Sequence, residues 1–210
     1  FYKKIDNPIE AFTGFSDNAP QTSYANAPQA TLYGAEAELQ KHFDLSGMGG
    51  WFNARRLVLI ANYTYTKSEI KVGPNDIVSV FGTTPQPAAN FFRDGAPLTG
   101  QSDHIANLQL GFEHGDRLSQ QTFMLTYASD RVTSRGPVGL PDIIERPGLR
   151  LDFVAREGVN FLGRNIDLKL EARNITGRAH IEIQEANGNR IDINTYDVGR
   201  SFAASASIKF

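Results

Sequence analysis

Ser201-Phe202-Ala203-Ala204-Ser205-Ala206-Ser207-Ile208-Lys209-Phe210, the last ten residues, alternate strictly. Successive side chains of a strand point to opposite faces. Phe202, Ala204, Ala206, Ile208 and Phe210 therefore share one face, and Ser201, Ala203, Ser205, Ser207 and Lys209 share the other. Two environments produce this pattern. A soluble sheet buries one face against a protein core. A membrane barrel turns one face to lipid and the other to a wet or protein-filled lumen, with each backbone donor and acceptor paired around the ring. This strand alone fits both.

The same alternation recurs upstream. Thr31, Tyr33, Ala35, Ala37 and Leu39 oppose a face bearing Glu36 and Glu38, and Leu57, Leu59, Ala61, Tyr63 and Tyr65 oppose Asn62, Thr64 and Thr66. Ala106, Leu108, Leu110 and Phe112 oppose Asn107, Gln109 and Glu113, and Phe123, Leu125 and Tyr127 follow after the tight turn Gly115-Asp116-Arg117. Leu149, Leu151, Phe153 and Ala155 oppose Arg150, Asp152 and Arg156; Ile166, Leu168, Leu170 and Ala172 oppose Asp167, Lys169, Glu171 and Arg173. The pattern predicts an all-β chain of seven or eight antiparallel strands. A short strand is also expected at residues 1–5, and a hairpin at residues 179–196 around Asn187-Gly188-Asn189, extending the last two strands.

Connections alternate in length. Short turns are expected at residues 46–50, 115–118 and 158–163, and long loops at 11–29, 71–100, 133–144 and 175–193. Antiparallel strands send every second connection to the same rim, so all short turns fall at one end and all long loops at the other. Outer-membrane barrels share that asymmetry. Residues 71–100 hold four prolines and four glycines with no sustained period, and a loop so long carries function or moves.

Composition narrows the classes. The 210 residues are 40% hydrophobic with mean hydropathy −0.33, and no run reaches the length of apolar residues that a spanning helix needs. Strands escape that test, since half their residues can be polar. A net charge of −2 gives no basic face for nucleic acid. Cysteine is absent, which removes disulfides and thiolate metal sites. No signal peptide is visible, and the chain starts without Met, in what reads as the end of an ongoing strand; a fragment of a longer protein is expected. The apolar rows run free of charge for about nine residues, the length a tilted strand needs to cross a bilayer. That favours the barrel over the soluble sheet, where the charged rows would be the solvated face.

Several segments together carry a resemblance: Phe1-Tyr2-Lys3-Lys4-Ile5-Asp6-Asn7-Pro8; Tyr33-Gly34-Ala35-Glu36-Ala37-Glu38; Leu168-Lys169-Leu170-Glu171-Ala172-Arg173-Asn174-Ile175-Thr176-Gly177; Tyr196-Asp197-Val198-Gly199-Arg200-Ser201-Phe202; and the final Ile208-Lys209-Phe210. In this order they resemble the C-terminal portion of a TonB-dependent outer-membrane receptor. The resemblance implies a 22-stranded barrel with a plugged lumen, of which residues 1–210 would form the last strands, without the plug domain and TonB box. It implies uptake of a scarce ligand (a ferric siderophore first, otherwise cobalamin or a sugar) across the outer membrane of a Gram-negative bacterium. The implied partners are outer-membrane lipid, the protein's own plug, the TonB complex, and the outer-membrane assembly machinery, for which Phe210 resembles the recognition signal.

Site chemistry is sparse. His42, His104, His114 and His180 lack metal-ligand spacing, and read as strand-end or lumen residues. Glu36 and Glu38 read as lumen lining or plug contact. Gly47, Gly49 and Gly50 serve a turn, because no Lys-Ser/Thr and helix follow them to cradle phosphate. No cofactor, metal or catalytic group is expected. Phe91, Phe92 and Arg93 in the longest loop, with Arg131 and Arg135 in another, are the candidate ligand contacts: aromatic rings and guanidiniums together hold an anionic chelate. Against this, Phe91 and Phe92 could pack the loop down while the arginines are solvated. The competing functions are a passive porin-type barrel and a soluble β-rich binding module.

Overall fold

The computed structural model describes residues 1–16, 19–136 and 139–208. Eight antiparallel strands form the main sheet: β1 (Tyr2–Asp6), β4 (Gln29–Asp44), β5 (Arg55–Lys71), β8 (His104–His114), β9 (Ser119–Ala128), β12 (Gly148–Phe161), β13 (Arg164–Arg173) and β16 (Ser201–Ile208), in that spatial order. The remaining strands lie in the long connections, among them β6 (Ile77–Val78) and β7 (Gln86–Pro87), which pair with each other. Among the described residues β1 and β16 are each paired on one side only.

Register joins the apolar rows across the whole sheet. Leu39 faces Ala61, which faces Leu108, then Leu125, then Leu151; lower down, Phe43, Leu57 and Phe112 align. On the far side Ala155, Leu170 and Ala204 continue the row. These side chains pack into no core: Leu39 is 53% exposed, Leu170 56% and Phe202 73%. In water such a continuous apolar surface would be an aggregation site; in hydrocarbon it is the solvated face.

Its charged members sit toward the rims, with Lys67 above the row and Lys41, Arg55 and Glu157 below. Tyr33, Tyr63, Tyr65 and Tyr127 lie at the upper end and Phe43, Trp51 and Phe112 at the lower, as the two aromatic girdles of a barrel do. From Arg55 to Tyr65 the strand climbs about 34 Å at 3.4 Å per residue. At a tilt of 45° that is about 24 Å, against an apolar band of about 25 Å.

The opposite face carries the polar row. Arg56 pairs with Glu113 across strands at 2.9 Å, and Asn107 donates to Asn62 at 2.7 Å. Most of its other ion pairs run along a single strand, Arg150 with Asp152 and Glu171 with both Lys169 and Arg173. These pairs join i, i+2 neighbours on one pleat.

Two quoted segments gain a structural reason. A Cβ at Gly34 would lie 2.0 Å from the Tyr65 carbonyl oxygen, so only glycine lets β4 approach β5 there. Asn174 adopts φ +53° and is buried. Its Nδ2 donates to the Arg178 and Gly199 carbonyls, its Oδ1 accepts from Arg178 N–H, and its own N–H donates to Asp152 Oδ1. Arg200 donates to the Ile175 carbonyl beside it. The segment clasps the upper ends of β12, β13 and β16.

Three expectations are corrected. Residues 11–29 are not a bare loop: β2 (Ile9–Ser16) and β3 (Ala19–Asn26) form a hairpin, held by tertiary contacts that its polar composition does not announce. The turn at 158–163 is tighter, because β12 runs to Phe161 and only Leu162 (φ +51°) and Gly163 (φ +73°) lie between the strands, the two positive φ values of a type I′ hairpin. Finally, β14 (His180–Ala186) and β15 (Asn189–Tyr196) form the expected hairpin but do not simply extend the last strands. They complete a separate four-stranded sheet with β10 (Arg131–Ser134) and β11 (Ile143–Glu145), through β11–β14 pairing.

Candidate functional site

The long connections hold the buried hydrophobic core of the chain. Phe12 from β2, Ala25 and Ala27 near β3, Ile70 at the top of β5, and Val78, Val80, Ala88 and Phe92 from the connection after β5 form one cluster. Phe12 sits edge-on to Phe92 at 5.3 Å and to Phe91 at 6.3 Å. Ile70 and Ser68, both fully buried, share their face of β5 with the polar row. Leu98 N–H donates to Ser68 Oγ at 2.9 Å and Ile70 N–H to the Ala96 carbonyl. The loops therefore fold over the polar side of the sheet, which makes that side the interior.

A buried ionic knot ties three connections together. Arg135, past the end of β10, contacts Glu10 of β2 through Nη2 at 2.8 Å and Nε at 2.9 Å. Its Nη1 donates to Asp142 at 3.0 Å, and Nη2 also donates to the Pro97 carbonyl. Glu10 accepts the Thr99 N–H on both oxygens. Glu10 and Arg135 are 1% and 3% exposed. Burial pushes the Glu10 carboxyl above its ordinary value, and Arg135 and the Thr99 N–H pull against that rise. The backbones join as well: Thr13 N–H donates to the Arg135 carbonyl and Arg135 N–H to that of Ala11.

Beside the knot opens a cleft of about 480 Å³, with Phe91, Phe92, Arg93, Pro97, Arg135 and Leu140 in its wall. Four of the five sequence-picked contacts thus meet at one place. Phe92 and Arg135 are buried in its floor, Phe91 is partly buried, and Arg93 is exposed. Arg131 stands apart, paired with Glu145 at 2.7 Å. Phe210 lies outside the described residues. Glu10, Phe12 and Asp142, which hold the cleft together, were not marked by the sequence: each sits in a polar stretch without period, and only the fold brings residues 10 and 135 together. Of the histidines, His104, His114 and His180 lie at strand ends.

An open antiparallel sheet with an exposed apolar face, a polar interior, short turns at one rim and a structured loop cap at the other defines the class of membrane-spanning β-barrels. The family model described as TonB dependent receptor-like, beta-barrel matches residues 1–175. The chain belongs to that family, whose members are outer-membrane receptors and transporters of Gram-negative bacteria that work with a plug domain and TonB. Comparison with curated proteins and with solved structures finds no match.

Proposed function

We propose that this chain is the C-terminal arc of a barrel that imports a ferric siderophore, and that the cleft beside Arg135 is where the ligand is first held. The observation that carries this reading is that Phe91, Phe92, Arg93 and Arg135 line one cleft of the loop cap. An anionic chelate is attracted by Arg93 and packs against the Phe91 ring. Arg135 is already engaged by Glu10 and Asp142, so it shapes the wall while Arg93 supplies charge. Phe210 serves barrel assembly in this reading, through its resemblance to the signal that the assembly machinery recognises.

The test is uptake of radio-iron chelates by cells expressing the intact receptor, with and without TonB. Arg93→Glu is expected to lower uptake at limiting ligand about tenfold, the worth of one charge-assisted contact. Uptake unaffected by loss of TonB points instead to a passive porin-type barrel. TonB-dependent uptake of cobalamin or a sugar, with no iron chelate carried, replaces the ligand and keeps the transporter.

A further inference from the structure

A cluster of charged and polar side chains lies on the lipid-facing surface of the sheet, opposite the interior row. Arg55, Ser119, Gln121 and Glu157 all belong to the apolar face by register. Arg55 is 3% exposed, lies 3.9 Å over the Trp51 ring, and donates to the Trp51 carbonyl, Ser119 Oγ and Gln121 Oε1. Glu157 accepts from Ser119 Oγ at 2.5 Å and pairs with Arg117 Nη1 at 3.1 Å. Arg117 stands in the short β8–β9 turn with its side chain 55% exposed. Arg117 pairs with Glu157 directly, whereas Arg55 reaches that carboxylate only through Ser119, so Arg117 is the guanidinium that stands open at the short-turn rim.

Glu157 also closes one end of a groove of about 390 Å³ on the same face. It is lined by Leu168 and Leu170 of β13, with Ala155 of β12 on one side of them and Ala204 and Ala206 of β16 on the other. The alanines leave the surface low beside the leucines, which makes room for a hydrocarbon chain. Short turns face the periplasm, where the membrane leaflet consists of glycerophospholipids.

We propose that this rim is a phospholipid site, holding the phosphate of one periplasmic-leaflet glycerophospholipid on Arg117 and one of its acyl chains in the Ala155–Ala204–Ala206 groove. Arg55 is the buried support: it fixes Ser119 and Gln121, which hold Glu157, which aims Arg117. A guanidinium recognises phosphate by paired N–H donors, and Trp51 lies at interfacial depth. The site rests on the outer-membrane reading above and adds to it a bound lipid at a defined place.

The test is native mass spectrometry of the intact detergent-purified receptor, loaded with phosphatidylglycerol. One lipid is expected to remain bound at collision energies that strip the others. Arg117→Gln is expected to cut the retained fraction about tenfold, the loss of one charge-assisted pair, and Arg117→Lys to cut it less. Ala206→Leu, which fills the groove on an exposed face, is expected to match Arg117→Gln. Equal retention by wild type and Arg117→Gln overturns the site, as does equal retention of diacylglycerol, which lacks the phosphate. Retention of lipopolysaccharide but not phosphatidylglycerol overturns it too, since that lipid belongs to the other leaflet. Heat-dependent electrophoretic migration reads barrel formation separately. If it is kept while lipid retention does not discriminate, only the lipid site fails; if it is lost, the membrane reading fails and the site with it.

Discussion

The spanning sheet and the loop cap are built by opposite rules from the same residues. In the sheet Leu39, Leu168 and Leu170 lie exposed on the surface while polar rows point inward. In the cap Phe12, Ile70, Val80 and Phe92 are fully buried, as in a water-soluble domain. The difference lies in the solvent. Hydrocarbon removes the drive to hide apolar side chains, so the sheet is held by its ladder of backbone hydrogen bonds. The cap faces water, so burial drives its folding, and it needs a core and an ionic knot of its own.

The strongest way to break the contrast is inside the cap. Arg135→Ala leaves Glu10 buried without its partner and is expected to destabilise the cap by about 3 to 5 kcal/mol. The loss should appear in hydrogen exchange of residues 9–16 and 96–100, with amides of β8 and β9 unchanged. Loss spread evenly over both regions would mean that cap and sheet are one cooperative unit.

The mirror experiment is in the sheet. Leu125→Arg, in the middle of the apolar face, is expected to cost about 2 to 4 kcal/mol of folding into lipid bilayers. Gln109→Arg on the interior row at similar depth should cost far less. Equal costs would contradict the assignment of faces.

Asn174→Ala sharpens the boundary between the regions. It removes a side chain that satisfies two carbonyls and one N–H at the top of the sheet, and about 1 to 3 kcal/mol is expected for the orphaned groups. Urea-induced unfolding from bilayers reads this, with faster exchange expected at residues 174–178.

The smallest effect is with pH. Burial raises the Glu10 carboxyl above 4.5, so the folded cap binds that proton more tightly than the unfolded chain does. The resulting stabilisation is fully present below 4.5 and is lost as pH rises through the raised value. Cap opening, measured by hydrogen exchange corrected for intrinsic rates, should therefore become easier over that rise. Glu10→Gln should flatten the dependence; an unchanged slope would assign it to another group.

The sheet was legible because its information is local. Alternation with a period of two is written into each strand, and turns such as Gly115-Asp116-Arg117 mark where one ends. The β2–β3 hairpin was missed because its strand pattern is weak and Phe12 packs against residues eighty positions away. Glu10 lies 125 positions from Arg135, and Asp142, only seven from it, sits in a loop without period, while the Phe91-Phe92-Arg93 run stood out by composition alone.

By itself, then, the amino-acid order determined which faces are oily and which are polar, and on which rim the long connections lie, since pleating and antiparallel pairing follow from neighbours along the backbone. Only the tertiary structure decided that three of those connections meet, and that Glu10 and Arg135 share a dry contact. It also decided that Glu157 and Arg117 come together on the lipid side. Contacts between distant segments depend on how the sheet curves and how the loops close, and no short stretch of sequence carries that.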